Sequence, residues 1–313
     1  MKKRSFRNLP LHLMLIPSMV MLLIYGYLPL MGNVMAFQKF NPVKGFLGSK
    51  WIGWENFRYV LELPDTFQVL WNTFFISAMK LAAGIVVPVI YALLLNEMRS
   101  VRYKRILQTM IYFPHFLSWV ILSGILIDLL SPSTGLIGVV MKSLGLKPVY
   151  WLGDADVFPF TKPVYWLGDA DVFPFTLVLT ETWKEFGFGT IVYLAALTAI
   201  DPTLYEAGMI DGATRWQQTR YITIPGIMPT VMLMMILSMG NILNAGFDQV
   251  FNLYSPQVYR TGDILDTLVY RLGLVDIQYG VATAVGLFKS FVSFVMLAVS
   301  YFLAYKYSDY RVF

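Results

Sequence analysis

Residues 206–225 read EAGMIDGATRWQQTRYITIP, a polar segment rich in Gly and Ala set between long apolar runs. In a chain this apolar, such a segment must face water or another protein, because lipid offers its peptide groups no hydrogen bonds. Asp201-Pro202 just ahead signals a helix start, with Asp as N-cap and Pro at the first helical position. A short helix is expected over 203–210. Ala207, Gly208, Gly212 and Ala213 are small, so a second surface can approach the backbone closely. Gly212 can take a positive φ and turn the chain. Arg215 and Arg220 follow on a second arm, and Pro225 opens the next apolar helix. The plainer reading of 203–210 alone is an amphipathic helix lying on lipid headgroups.

Composition sets the solvent. Of 313 residues, 57% are hydrophobic and 14% charged, with mean hydropathy +0.60. Soluble domains carry about 25% charged residues, so the chain reads as a membrane protein. The net charge of +5 does not point to nucleic acid, because the basic residues gather at the ends of apolar runs. There is no cysteine, which excludes disulfides and thiol chemistry. Histidines stand only at 12 and 115, too few for a His-rich metal site. No G-x-x-x-x-G-K-[ST] occurs, so any ATP that drives the chain is bound elsewhere.

Apolar runs at about 11–37, 69–95, 106–130, 176–200, 226–247 and 280–305 are each long enough to span the hydrocarbon core, which takes about 20 helical residues. The expected fold is an all-α integral membrane protein with about six transmembrane helices. Residues 1–37 form a cytoplasmic tail and first span, kinked at Pro17 and Pro29. Residues 38–67 form an outer loop, and 68–313 a five-helix core containing the loop 201–225. Lys2, Lys3, Arg4 and Arg7, and then Arg99, Arg102, Lys104 and Arg105, place the N-terminus and the 96–105 loop in the cytoplasm. Both termini and the 201–225 loop then share that side. The loops at 38–67, 131–175 and 248–279 face outward, the second carrying Asp154, Asp156, Asp169 and Asp171. Residues 147–161 (KPVYWLGDADVFPFT) recur unchanged as 162–176. Two copies cannot stack a solenoid core, so this reads as a recent or artefactual duplication, with an extended docking loop as the other reading.

The spacing of 206–225 closely resembles the EAA loop of permease subunits of binding-protein-dependent ABC importers, written EAA, then G, then I-x-L-P. Gly208 replaces the third small residue and Ile224 replaces Leu. The segments GYLPLMGNVMAF (26–37), NPVKGFLGSKWIGWENF (41–57), YLAALTAIDP (193–202) and GLFKSFVSF (286–294) are similar to the polysaccharide branch of sugar-importer permeases. That branch includes lipoprotein-type polysaccharide permeases and the larger permease of alginate importers. The resemblance implies a type I ABC importer permease fold in a bacterial inner membrane. It implies two cytoplasmic ATPase subunits carrying ATP and Mg, a second permease forming a heterodimer, and an extracytoplasmic solute-binding protein. The ATPase-coupling set would be Glu206, Ala207, Gly208, Asp211, Gly212, Ala213 and Arg215. No catalytic residue, metal or cofactor is expected in this chain.

A charge at the bilayer centre costs about 2.5–3.5 kcal/mol on insertion scales, so polar groups within spans should face the bundle interior or a pathway. Ser238, Asn241, Asn244 and Asp248 form one stripe if a helix continues through them. The stripe is read as a path for a hydroxylated ligand or as interhelical hydrogen bonding. Glu181 and Lys184 are spaced for an internal ion pair. Trp183 is read either as a stacking platform for a sugar or as an interface anchor. Lys80, Asp128 and Lys289 are further charges within spans; Lys80 and Lys289 suit an anionic sugar, or snorkel or pair. His115 is read as a packing residue. The rival function is a secondary carrier or channel without an ATPase, whose inverted repeat is not seen. A membrane-embedded enzyme would need metal-ligand spacing or a nucleophile elbow, and neither occurs.

Overall fold

The computed structural model describes residues 9–130, 143 and 167–307. The basic residues at 2–7, Asp154, Asp156 and the first copy of the repeat lie outside them. The described residues are mostly helical, with one two-stranded sheet among them. Four helical segments are long and apolar enough to cross a membrane, or up to six if each of two bent helix pairs is one span. The chain divides into two compact units, Met1–Thr66 with Val269–Phe288, and Phe67–Leu268 with Lys289–Phe313.

The smaller unit begins with α1 (Leu9–Leu22), which passes through a π turn at Leu23–Tyr27 into a 3-10 stretch at Leu28–Phe37. Pro17 sits inside regular α-helix, so the change in helix type comes after it rather than at it. Pro29 lies in the first turn of the 3-10 stretch, where a missing N–H costs least. The most apolar window of Leu13–Phe37 has no buried share within the chain, leaving it for lipid or another subunit. The segment read as an outer loop carries structure of its own. Strand β1 (Gln38–Lys39) pairs antiparallel with β2 (Lys50–Trp51), Gln38 opposite Trp51, and α2 (Glu55–Glu62) follows. Phe37 organises this part, with ring centroids of Trp51, Trp54 and Phe57 at 5.6, 5.3 and 5.4 Å. Strands this short leave no periodicity for a sequence reading to find.

The larger unit takes up α3 (Thr66–Asn96), which runs for 31 residues with Pro88 inside it. Then come α4 (Val101–Tyr112) and α5 (Trp119–Leu130). The expected single third span is broken here. After a 3-10 turn at Phe113–Phe116 the chain bends by 102°. Pro114 cannot donate to the helix ladder, and the chain leaves helical geometry at Leu117, whose ψ is 134°. Next come α6 (Phe173–Thr198) and α7 (Pro202–Ile210), bent 67° from it. Residues Arg215–Met239 form one apolar rod whose last part is α8 (Ile224–Met239). The fifth span therefore starts earlier than the apolar run suggests and ends near Gly240. The chain re-enters a helix at α9 (Phe247–Leu253), and the last helix is α10 (Tyr279–Tyr307).

Two buried clusters hold the larger unit. One gathers Ile76, Phe173, Leu177, Ala245, Val250, Leu253, Val258 and Ile264; the other gathers Ala92, Tyr193, Leu197 and Ile227. Within lipid the gain comes from close packing and hydrogen bonds rather than from exclusion of water. Gly187 shows how close that packing is, since a Cβ there would stand 1.9 Å from the Ile111 carbonyl oxygen. The described end of the second repeat copy is built into the unit. Phe173 is fully buried, Asp171 pairs with Arg260 at 2.6 Å, and the Thr261 hydroxyl donates to the Ala170 carbonyl.

Candidate functional site

The loop at 201–225 is held by two capping motifs back to back. The Thr203 N–H donates to Asp201 Oδ1 at 2.9 Å and starts α7. This bond, with one from the Thr203 hydroxyl, holds the Asp201 carboxyl below the usual carboxylate range. Because the folded value is depressed, the cap's contribution is full above the ordinary carboxylate pKa and is lost as pH falls through the lower folded value. At the other end Ala213 N donates to Gly208 O at 2.8 Å and Gly212 N to Met209 O at 3.1 Å. These are the paired bonds of a Schellman stop, and Gly212 supplies the positive φ it needs, +76°. Thr214 then opens the second arm through a capping box with Gln217.

The loop is tied back to the bundle at two places. Tyr205 Oη lies 3.0 Å from Thr223 Oγ1, and Arg215 Nη1 donates to Glu97 Oε2 at 2.7 Å at the end of α3. Glu206, Ala207, Asp211 and Gly212 are exposed, together with Met209, Ile210 and Trp216. The surface is thus a charged residue among small and apolar ones, on a backbone that cannot easily rearrange. Gly208 and Ala213 are half-buried, and Gly208 turns toward the second arm. A Cβ there would meet Ile222 Cδ1 at 3.3 Å, the end of a flexible side chain. Helix propensity favours Ala over Gly by about 0.8–1.0 kcal/mol. The tight contact with Ile222 offsets part of that gain, so Gly208→Ala is expected to leave thermal unfolding of the complex within about 0.5 kcal/mol of wild type.

A cavity of about 440 Å³ opens between α3, α6 and the segment around residues 238–246. Its polar lining comes from Ser77 and Lys80 of α3, Glu181, Thr182 and Glu185 of α6, and Ser238, Asn241 and Asn244. Lys80 Nζ donates to Ala245 O at 2.6 Å and to Gln249 Oε1, and lies 3.8 Å from Glu181 Oε2. The fully buried Gln249 donates in turn to Leu177 O and to Thr180 Oγ1, both at 2.8 Å. Gly246 makes room for this arrangement. Its φ is +88°, and a Cβ would come within 3.1 Å of Lys80 Nζ.

The residues named from sequence for a substrate path separate here. Ser238, Asn241 and Asn244 do line the cavity, yet not as a stripe on one helix, because α8 ends at Met239 and Gly246 turns the chain left-handed. Asp248 lies beyond that turn, exposed and outside the lining; Trp183, on α6, is likewise exposed and outside it. Lys289 also lies outside the lining and pairs with Asp266 at 2.5 Å. The expected Glu181–Lys184 ion pair gives way to another arrangement. Lys184 Nζ lies 2.6 Å from Glu185 Oε1 and donates to His115 O at 3.1 Å, a carbonyl freed by the break after α4. His115 Nδ1 meets Glu185 Oε2 at 2.7 Å, and its ring stacks on Phe188 at 4.0 Å. His115 is a packed and paired residue, as its position after Pro114 suggests. Sequence reasoning missed Glu181 as the partner of Lys80, and missed Gln249 altogether. No local spacing signals contacts across such separations. Among the described residues, no group of three or more His, Cys, Asp or Glu is placed to hold a metal ion.

Residues 84–309 match the family model described as the binding-protein-dependent transport system inner membrane component. Protein LplB of Bacillus subtilis is 38% identical over 97% of this chain and 91% of its own length. The B. subtilis polygalacturonan/rhamnogalacturonan transport system permease protein YteP is 37% identical over 97% and 90%. A chain of a bacterial ABC transporter involved in the import of the acidic polysaccharide alginate superposes with TM-score 0.84. The two are 35% identical, and the match covers 98% of this chain and 99% of that one.

Proposed function

The chain belongs to the family of binding-protein-dependent transport system inner membrane components, and we propose that it is the membrane-spanning permease subunit of an ATP-driven importer for an oligo- or polysaccharide. The observation that carries this reading is the alignment, nearly end to end, with a chain of a crystallised alginate importer. A bacterial alginate ABC transporter is also known in complex with an alginate pentasaccharide-bound periplasmic protein. An acidic polysaccharide is the substrate class these similarities favour. The cavity lining suits hydroxylated rings, and its charges are already paired within the chain, so it offers hydrogen bonds rather than a strong net field.

In this reading the chain does no covalent chemistry. Two partner ATPase subunits bind ATP and Mg, and their closure pulls on α7. Because the Schellman stop and the Tyr205 and Arg215 ties hold α7 to the second arm and to α3, the pull moves whole helices rather than a loose loop. Rigid-body rocking against a second permease subunit would then alternate access to the cavity. A solute-binding protein outside the membrane would deliver the sugar to the outer loops. The exposed apolar face of Leu13–Phe37 is available to lipid or to that second subunit.

Co-purification from native membrane tests the assembly. An ATPase, a second permease and a solute receptor should come with the chain; recovery of the chain without any ATPase would favour the carrier reading. Orientation is tested separately, using the absence of cysteine. Single cysteines at Ser100 and Lys306 are expected to react only from the cytoplasmic side, and one at Gly45 only from outside. Opposite labelling at any of the three would overturn the six-span arrangement with both termini in the cytoplasm.

A further inference from the structure

A second cavity, of about 620 Å³, lies wholly within the smaller unit, bounded by β1, α2, the turn at Ile277 and Gln278, and the first turn of α10. Its size falls within the range of small-molecule sites, about 300–1,000 Å³. The transport cycle described above does not use it. Its floor is rigid. Asn56 Nδ2 donates to Ala36 O at 2.8 Å and to Gln38 O at 3.0 Å. Gly280 lies so close that a Cβ there would stand 2.7 Å from Gln38 O. Gln38, only 7% exposed, donates from Nε2 to Phe46 O at 2.9 Å, which fixes its amide. Its Oε1 is buried and accepts no hydrogen bond among the described residues. Ile277, on the same wall, holds φ +59°, a conformation that β-branched residues avoid. Backbone held in this way collects at ligand sites.

The lining chemistry narrows the ligand. Lys39 and Arg58 are balanced by Glu55 and Glu62, and Arg58 already pairs with Glu62 at 2.9 Å, so net charge is not what selects. The remaining recognition groups are tyrosine rings and uncharged amides. Tyr59 stands partly exposed, and Tyr279 packs edge-on against Phe40 at 6.1 Å. Rings offer a flat apolar face with a polar tip, and amides both donate and accept. That combination suits one pyranose residue, its apolar face on a ring and its hydroxyls on the exposed Gln278 amide. We propose that this cavity is a saccharide subsite on the outer face, holding one sugar unit of the chain being imported. The proposal rests on the saccharide-import reading and on the outward placement of residues 38–67.

The test uses the complete importer in proteoliposomes with its binding protein. Galacturonate oligomers of six and of two residues are the probes. A subsite apart from the membrane cavity should matter more to the longer chain. Tyr59→Ala and Gln278→Ala should each raise the ratio of the hexamer KM to the dimer KM, by about tenfold for Tyr59→Ala, as loss of one well-packed aromatic contact does. Tyr59→Phe, which keeps the ring, should stay near wild type. An unchanged ratio in both Ala variants would overturn the subsite. So would a parallel rise for both lengths with weaker binding-protein affinity, which would make the cavity a docking pocket for a protein loop. A wild-type complex that imports neither oligomer would instead fail the import reading itself, and the subsite with it.

Discussion

Gly212→Val is expected to cut saccharide uptake about fivefold or more while leaving the chain inserted and folded. At φ +76° a β-branched residue is strained by about 1–3 kcal/mol, and each 1.4 kcal/mol is a factor of about ten. A Cβ at this position meets nothing within 4 Å, so no internal clash is involved. The cost falls on the Schellman stop and on the surface that the proposed ATPase would meet. Gly212→Ala should lie between wild type and Val, since it keeps the strain but adds little bulk. Glu206→Lys acts on the same surface through charge alone. Glu206 is exposed, on α7 beyond the 67° bend from α6, so the variant should assemble in the membrane yet lose ATPase co-purification or uncouple hydrolysis from uptake. Uptake and ATP hydrolysis measured on one reconstituted preparation separate these outcomes. Wild-type rate and coupling in both variants would remove the loop from the drive train.

Lys80→Met is expected to have the second large effect, and this one is on assembly. The substitution removes the counter-charge of Glu181 and the donor to both Ala245 O and Gln249 Oε1, inside a low-dielectric bundle. Breaking a buried pair from one side costs about 3–5 kcal/mol, because the partner charge is left uncompensated. Glu181 keeps part of its side chain accessible, so the lower end of that range applies. Chemical unfolding of the solubilised complex should show the loss, and little assembled complex should survive. Adding Glu181→Gln should restore assembly, since the stranded charge is gone, while leaving uptake impaired because the cavity wall is altered. If Lys80→Met alone is as stable as wild type, the network is not structural.

How much of this was legible beforehand varies by element, for physical reasons. The backbone course of the 201–225 loop was legible, because its devices are local: an Asp-Pro start, a Gly at the left-handed position, and small residues at fixed offsets. Span positions were legible wherever an apolar run stays helical. They failed where it does not, at the bend after Phe116 and beyond Met239, because hydropathy does not distinguish a helix from an apolar turn. The cavity was half legible. Ser238, Asn241 and Asn244 stood out as polar groups in an apolar run, though the helix assumed to align them ends before they do. Lys80 stood out as a charge, but its fit against Ala245, Gln249 and Glu181 is tertiary and has no sequence period. Lys184 illustrates the converse, a pair allowed by spacing that lost to a carbonyl exposed by a distant break.

The most direct test of the import reading is uptake by sealed proteoliposomes that contain the purified complete complex. Labelled galacturonate or alginate oligosaccharide and the binding protein are supplied outside, and ATP with Mg inside. Accumulation against the sugar gradient is expected only when ATP, Mg and binding protein are all present, and it should be lost with Gly212→Val. Accumulation without ATP, driven by an imposed ion gradient, would contradict the account and make the chain a secondary carrier.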